Sequence, residues 1–284
     1  MKRKIMLSAD STCDIGKELK EKYNVHYYPF HISLDGQHYK DGIDIFPDDI
    51  FKKYSEKGVL PKTAAIGSVE YIEYFRPFVE EGYDVIHLNL GSAISCAHQN
   101  CILAAKELGH IYPIDSCNLS CGTGLLVLEA ARLISMDLNL EDIVSEIKSL
   151  TSKIHSSFIL DTLKFMSAGG RCSSIVSIGA NLFKIKPCIV VNNKDGSMFV
   201  GKKYRGELSK VLNYYVDDVL SDYKNIRNDK IFIVQAGLSF ELFQQMYEKV
   251  KNLNYFEKIY TSTACCTISS HCGPNTFGIM YISK

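Results

Sequence analysis

Strand-like and helix-like segments alternate along the first half of this chain, and that rhythm limits its fold more than any other feature. "KIMLSAD" is a short apolar run of strand character, "DIGKELKEKY" has helical spacing, and "VHYYPFHISL" reads as one extended apolar strand. "DGQHYKDG" carries turn chemistry, and "FPDDIFKKYSEKG" is a short amphipathic helix. "SVEYIEYFRPFVEEG" is helical, with an interruption expected near Pro77. The strand "DVIHLNL", a helix from Ser95, the strand "HIYPID" and the apolar helix "CGTGLLVLEAARLIS" follow. Parallel strands need long crossover connections, so this order predicts a parallel sheet covered by helices.

The rhythm changes after the helix "LEDIVSEIKSLTSKI". "SSFILD" is a strand, and "TLKFMSAGG" is a short helix stopped by glycines. "IKPCIVVNNKDGSMFVGKKY" reads as a hairpin around Asp195-Gly196. The helix "GELSKVLNYYVDDVLSDY", the strand "KIFIVQAG", the helix "SFELFQQMYEKVKNL" and the strands "KIYTSTA" and "FGIMYIS" complete the chain. At 284 residues there is room for two cores. The expected fold class is α/β: a parallel-sheet α/β domain over 1–154, then an α+β domain with a mixed sheet over 155–284.

Lys plus Arg and Asp plus Glu both number 32. A zero net charge leaves no electrostatic footprint for nucleic acid, which needs a basic face. No apolar run approaches the length that spans a bilayer, and "MKRKIMLSADSTCD" fits a first strand better than a signal peptide. A cytoplasmic protein is therefore expected, with its 10 cysteines as free thiols. Walker, G-x-S-x-G and G-x-G-x-x-G motifs are all absent, so no cofactor is expected and a binding protein is favoured over an enzyme.

Several short stretches could carry chemistry. "GSAISC" at 91–96 places Ser92 and Ser95 where a strand gives way to a helix. A helix N-terminus has unpaired N–H groups and a partial positive charge, so it can hold an anion; Ser95 can equally be a cap. Asp10 and Asp14 in "ADSTCD" stand at a strand end, where open α/β sheets bind ligands, or they tie the following loop. Thr63 in "PKTAAIGS" is a cap or one hydrogen-bond donor to a ligand. His271 in "HCGPNT" is structural or a contact for a carboxylate or phosphate. Arg171 in "GGR" and Arg205 in "KKYRG" are solvated charges or docking points for an acidic partner. The cysteines lack metal-site spacing.

"DSTCD" at 10–14, "KDGID" at 40–44, Thr63, the serines at 92–95, "AGGR" at 168–171, "KIKP" at 184–187, "RG" at 205–206 and "HCGP" at 271–274 together resemble the DegV family, in order and over the whole chain. The resemblance implies a bacterial fatty-acid-binding protein that partners a fatty acid kinase, with the fatty acid between the two domains. The implied ligand residues are Thr63, Ser92, Ser95, Cys96, His271 and Gly273. Arg205 and Arg171 are implied to dock the kinase, which would phosphorylate the bound carboxylate to an acyl-phosphate for phospholipid synthesis. The family's Thr-Ser-x-Pro-Ser is here Thr63-Ala64-Ala65-Ile66-Gly67, and its Ser-Ser-x-Leu-Ser-Gly-Thr is Gly91-Ser92-Ala93-Ile94-Ser95-Cys96-Ala97. Asn275 stands where a glycine is common.

A fatty acid is physically reasonable. Each buried methylene contributes about 0.8 kcal/mol, so a tail of ~16 carbons gains on the order of 12 kcal/mol before ordering costs. Hydrogen bonds to the charged head contribute about 1.5–3 kcal/mol each. "SIVSIGANLF", "SSFILDTLKFM" and "GTGLLVLEAARLI" are the candidate tunnel walls. Two other readings compete: a phosphotransferase or hydrolase using Asp10, Asp14 and His271, and a thiol or metal sensor.

Overall fold

The computed structural model describes residues 3–178 and 185–284. A parallel sheet opens the chain, in the order β2 (His26–Tyr28), β1 (Lys4–Asp10), β6 (Tyr83–Asn89), β7 (Ile111–Asp115). The helices α1 (Gly16–Lys22), α3 (Ser68–Glu80), α4 (Ala97–Leu108), α5 (Ser120–Ser135) and α6 (Leu140–Leu150) connect and cover these strands. The central strands read as apolar runs because both their faces are buried: Met6, Leu7 and Ala9 on β1, Val85, Ile86 and Leu88 on β6.

"VHYYPFHISL" is two strands in two sheets, not one. β2 ends at Tyr28, and β3 (His31–Leu34) begins a small antiparallel sheet ordered β4 (Gln37–Lys40), β3, β5 (Lys62–Ala64). Pro29 lies between them and has no N–H to continue a ladder. The stretch with turn chemistry contains β4. α2 (Pro47–Lys57) follows, with the Phe46 amide donating to Asp49 Oδ2 at 2.9 Å. α3 runs unbroken through Pro77, contrary to expectation. Tyr71 and Phe75, both fully buried, fasten it to the core more strongly than one lost backbone bond weakens it.

From Ile154 the chain joins a second sheet, ordered β10 (Met198–Arg205), β9 (Ile185–Val191), β8 (Ile154–Ile159), β13 (Thr276–Ser283), β11 (Ile226–Ala236), β12 (Ile259–Thr263). β11 and β12 pair in parallel and the other neighbours are antiparallel, so the sheet is mixed as predicted. α8 (Leu208–Val219) and α9 (Phe240–Lys251) cover one face. Along β11 the side chains alternate: Ile231 and Ile233 face those helices, while Phe232 and Val234 join the core shared with the first half. Two short helices complete the chain, α7 (Lys164–Gly169) and α10 (Cys266–Cys272). No separate element had been expected where α10 lies.

Glu129 is fully buried on α5 and ties the halves together. Lys230 and Arg227 of β11 and Arg132 of α5 surround it. Burial opposes its ionisation, but the three cations together hold its carboxyl below the usual range.

Candidate functional site

The carboxyl ends of β1 and β6 are where the loops of the parallel sheet converge, and Asp10 organises them. Fully buried, it accepts hydrogen bonds from Tyr71 Oη at 2.5 Å and the Leu90 amide at 2.8 Å, and its Oδ1 lies 3.0 Å from His87 Nε2. Its bonds fix the backbone that leads into α4. At the end of β7, Asp115 Oδ1 accepts from the amides of Ser92 at 3.1 Å and Cys117 at 2.9 Å. Gly91 packs where a Cβ would meet the backbone of Asn118 at 2.9 Å, so no serine fits at this position.

These loops, with α10, α7 and β10, enclose a cavity of about 220 Å³. Phe30, Leu90, Ile94 and Leu119 form one wall, and Phe158, Met166, Met198 and Ile268 another. The polar lining is Thr63, Ser95, Cys96, Arg171, Thr267 and His271. No Asp or Glu is among the described lining residues, and Arg171 is the one Lys or Arg.

Two residues 208 positions apart meet here: Thr63 Oγ1 on β5 lies 2.9 Å from His271 Nε2 on α10. Burial lowers the His271 pKa to about 4, and the charge of Arg171 acts in the same direction, so the ring is neutral at pH 7. Its Nδ1 is buried with no hydrogen-bond partner among the described residues. The ring lies directly on Gly169, where a Cβ would come within 2.0 Å of Nδ1. With Nε2–H donating to Thr63 Oγ1, the threonine hydroxyl keeps its own proton to donate.

The helix expected from Ser95 begins at Ala97, with Cys96 at the N-cap position; Ser95 Oγ accepts from the Ala97 amide at 3.2 Å, and Ser95 also lines the cavity. A hydroxyl that accepts one bond still has a proton to give. Cys96 is exposed and lines the cavity beside it. Ser92 does not line the cavity: its side chain is exposed, and its backbone is what Asp115 holds. Gly273 does not line it either. It ends α10 at φ 75° against Phe165, a turn that a side chain would strain.

Arg171 stands in the cavity wall, and its guanidinium donates to the Gly169 carbonyl. Arg205 is exposed at the far end of β10 from the cavity-lining Met198, roughly 20 Å along the strand. Asp10 and Asp14 do not join His271 in the cavity, so that proposed acid–base set is not assembled. Asp14 is instead buried in a latch between the halves. Its carboxylate accepts from Ser120 Oγ at 2.5 Å and the Cys265 amide at 3.0 Å, and its carbonyl accepts from Cys121 Sγ at 3.3 Å. Burial raises its pKa to about 7.

Of the candidate walls, "SSFILDTLKFM" supplies Phe158 and Met166. "GTGLLVLEAARLI" belongs to α5 and is core, lining no part of the cavity. Half of "SIVSIGANLF", residues 179–183, and Lys184 of "KIKP" lie outside the described residues. All ten cysteines are free, and among the described residues no cluster of His, Cys, Asp or Glu could hold a metal ion. None of the described helices is long and apolar enough to cross a membrane.

The fold and the cavity define a three-sheet protein with a largely apolar pocket that also carries hydroxyls, a histidine and an arginine. Residues 4–284 match the DegV family, described as "Uncharacterised protein, DegV family", and the chain belongs to that family. A DegV domain-containing protein of Clostridium perfringens is 31% identical over 283 residues, 99% of each chain. A DegV family protein from Thermus thermophilus, whose structure is described by its fatty acid binding, superposes with a TM-score of 0.90 at 25% identity, covering 99% of this chain and 100% of its own. A stearic acid-binding protein from Eubacterium ventriosum has the same fold, with a TM-score of 0.85 at 24% identity over 99% of this chain and 98% of its own.

Proposed function

We propose that this protein binds a long-chain fatty acid, with the carboxylate at Thr63 and Ser95 and the tail along the apolar walls. The observation that carries this reading is the Thr63–His271 pair in the wall of a largely apolar cavity. Thr63 and Ser95 each have a hydroxyl proton to donate, and Arg171 supplies the positive charge. Neutral His271 orients Thr63 rather than acting as a counter-ion. The fatty acid binding described for the Thermus thermophilus relative supports the same ligand class.

In this reading residues 1–154 and 155–284 are two domains that hold the ligand between them in the cytoplasm. The protein presents the carboxylate to a fatty acid kinase, which transfers a phosphoryl group to it from a nucleoside triphosphate, giving an acyl-phosphate for phospholipid synthesis. Arg205, exposed and distant from the cavity, is the docking residue. Arg171, given its place in the wall, serves the carboxylate rather than the kinase.

Mass spectrometry of the organic extract from denatured purified protein tests the ligand. One fatty acid per chain is expected, or stoichiometric uptake when hexadecanoate is added. A clean extract from folded protein that also takes up none refutes the reading. Arg205→Ala should keep fatty acid affinity and lose kinase-dependent acyl-phosphate formation; full formation removes Arg205 from the docking surface.

A further inference from the structure

The small antiparallel sheet holds α10 at both ends. Thr63 of β5 meets His271 at the end of the helix. Asp41, one residue past β4 and 3% exposed, meets its beginning. Asp41 Oδ1 accepts from the Cys266 amide at 2.8 Å. Oδ2 accepts from the Thr267 amide at 3.0 Å and the Thr267 hydroxyl at 2.6 Å, and Ser11 Oγ adds a donor at 3.2 Å. The Asp41 amide is itself anchored on the Phe30 carbonyl at 2.9 Å.

Thr267 and His271 are four positions apart, so they share one face of α10, and both line the cavity. A rotation of the helix about its axis would carry both away from Thr63. Little within α10 resists such a rotation. It has seven residues, "CTISSHC", and no side-chain cap of its own. Helices this short are not stable alone. The three donors that Cys266 and Thr267 give to Asp41, beside the bond of the Cys265 amide to Asp14, therefore set the rotation of α10 from outside it. Asp41 does not line the cavity, and its acceptor positions are taken.

We propose that Asp41 is a positioning residue for the His271–Thr63 pair: it touches no ligand, but by holding the first turn of α10 it fixes where His271 Nε2 stands. The inference rests on reading the cavity as a fatty acid site, and it extends that reading to a residue in the loop after β4.

The test uses Asp41→Asn, with Asp41→Ala as the larger perturbation. The first keeps the size and one carbonyl acceptor, so it folds where the second could fail. Two readouts are taken. The ring ¹⁵N resonances of His271 are compared in the ligand-free proteins, and hexadecanoate dissociation constants are measured with and without His271→Ala. We expect Asp41→Asn to shift the His271 resonances and weaken binding about tenfold, and to change affinity less than twofold in the His271→Ala background. Unmoved His271 resonances overturn the proposal, as does an equal loss of affinity in both backgrounds, which would mark a merely structural residue. If wild-type protein takes up no hexadecanoate, the fatty acid reading fails, and the ligand-free resonances still decide the role of Asp41.

Discussion

Gly169→Ala isolates the His271–Thr63 pair by a change that touches neither residue. The glycine φ lies outside the positive range, so alanine suits the backbone, and the position is within α7, where alanine is preferred by about 1 kcal/mol. What alanine lacks is space. Its Cβ would stand 2.0 Å from His271 Nδ1, and ordinary contact begins near 3.4 Å. The ring must therefore move by about 1.4 Å, and because Nδ1 and Nε2 point nearly opposite ways, straight retreat would drive Nε2 into Thr63; the ring has to swing aside, and the 2.9 Å bond is not kept. Losing that bond costs about 1 kcal/mol, and misplacing the Thr63 donor costs part of a charged hydrogen bond worth about 1.5–3 kcal/mol. The first cost falls on free and bound protein alike, so only the second reaches the dissociation constant, which rises by up to about 10- to 150-fold. Displacement of a fluorescent fatty acid gives the affinity, and thermal unfolding gives the stability control. An alanine variant that unfolds like wild type and binds hexadecanoate with unchanged affinity refutes the argument, because the pair would then be irrelevant to the ligand.

Three further outcomes are expected. Ser95→Ala should weaken hexadecanoate binding roughly 10- to 100-fold by isothermal titration, while loss of its bond to the Ala97 amide lowers stability by only about 1 kcal/mol in urea. Lys230→Met strands part of the buried charge on Glu129 and should lower the unfolding free energy by about 3 kcal/mol, read from the urea midpoint; a midpoint unchanged within error would mean that Arg227 and Arg132 suffice. Asp14 has a folded pKa raised to about 7, so the stability tied to its proton is present below the unfolded value near 4 and is lost as pH rises through 7. Asp14→Asn mimics the protonated form, so its stability relative to wild type should climb by on the order of 3–4 kcal/mol between pH 4 and 8. The comparison has to be a difference between the two proteins. His271 is lowered to about 4 and has the opposite slope, contributing stability above pH 6.5 that is lost as pH falls towards 4.

The parallel sheet could be read in the sequence because β1, β6 and β7 are continuous apolar runs separated by helical spacing, and both signals are local. The small sheet could not. β5 is three residues long, and β4, "QHYK", is mostly exposed with no apolar alternation. Their pairing is imposed by β3 and by the packing of α10. α10 was invisible for a related reason. "CTISSHC" is poor in helix formers, and the carboxylate that holds its first turn comes from Asp41, 225 positions before Cys266. Thr63, Ser95 and His271 were each legible as candidates in their own short stretches, but no local pattern shows that residues 208 apart meet; only the ordered set of family motifs joined them. Gly169 carried a signal that was read too narrowly. Its "GG" marked the end of a helix, whereas its missing side chain makes room for the His271 ring.

The acidic residues suspected of catalysis explain why the cavity suits an anion. A free carboxylate near the site would repel a fatty acid head group, and the chain carries several close by. Each is occupied instead. Asp10 is spent on Tyr71 and Leu90, Asp115 on Ser92 and Cys117, Asp41 on Cys266 and Thr267, and Asp14 on Ser120 and Cys265. Donors screen these charges, and their bonds fasten the β6–α4 loop and the start of α10 beside the cavity. The cavity keeps two hydroxyl donors and, among the described residues, a single cation. Apolar walls sharpen that field, since a charge pair interacts more strongly where water is excluded. The same bonds that keep Asp10 and Asp14 out of the cavity hold in place the backbone around it.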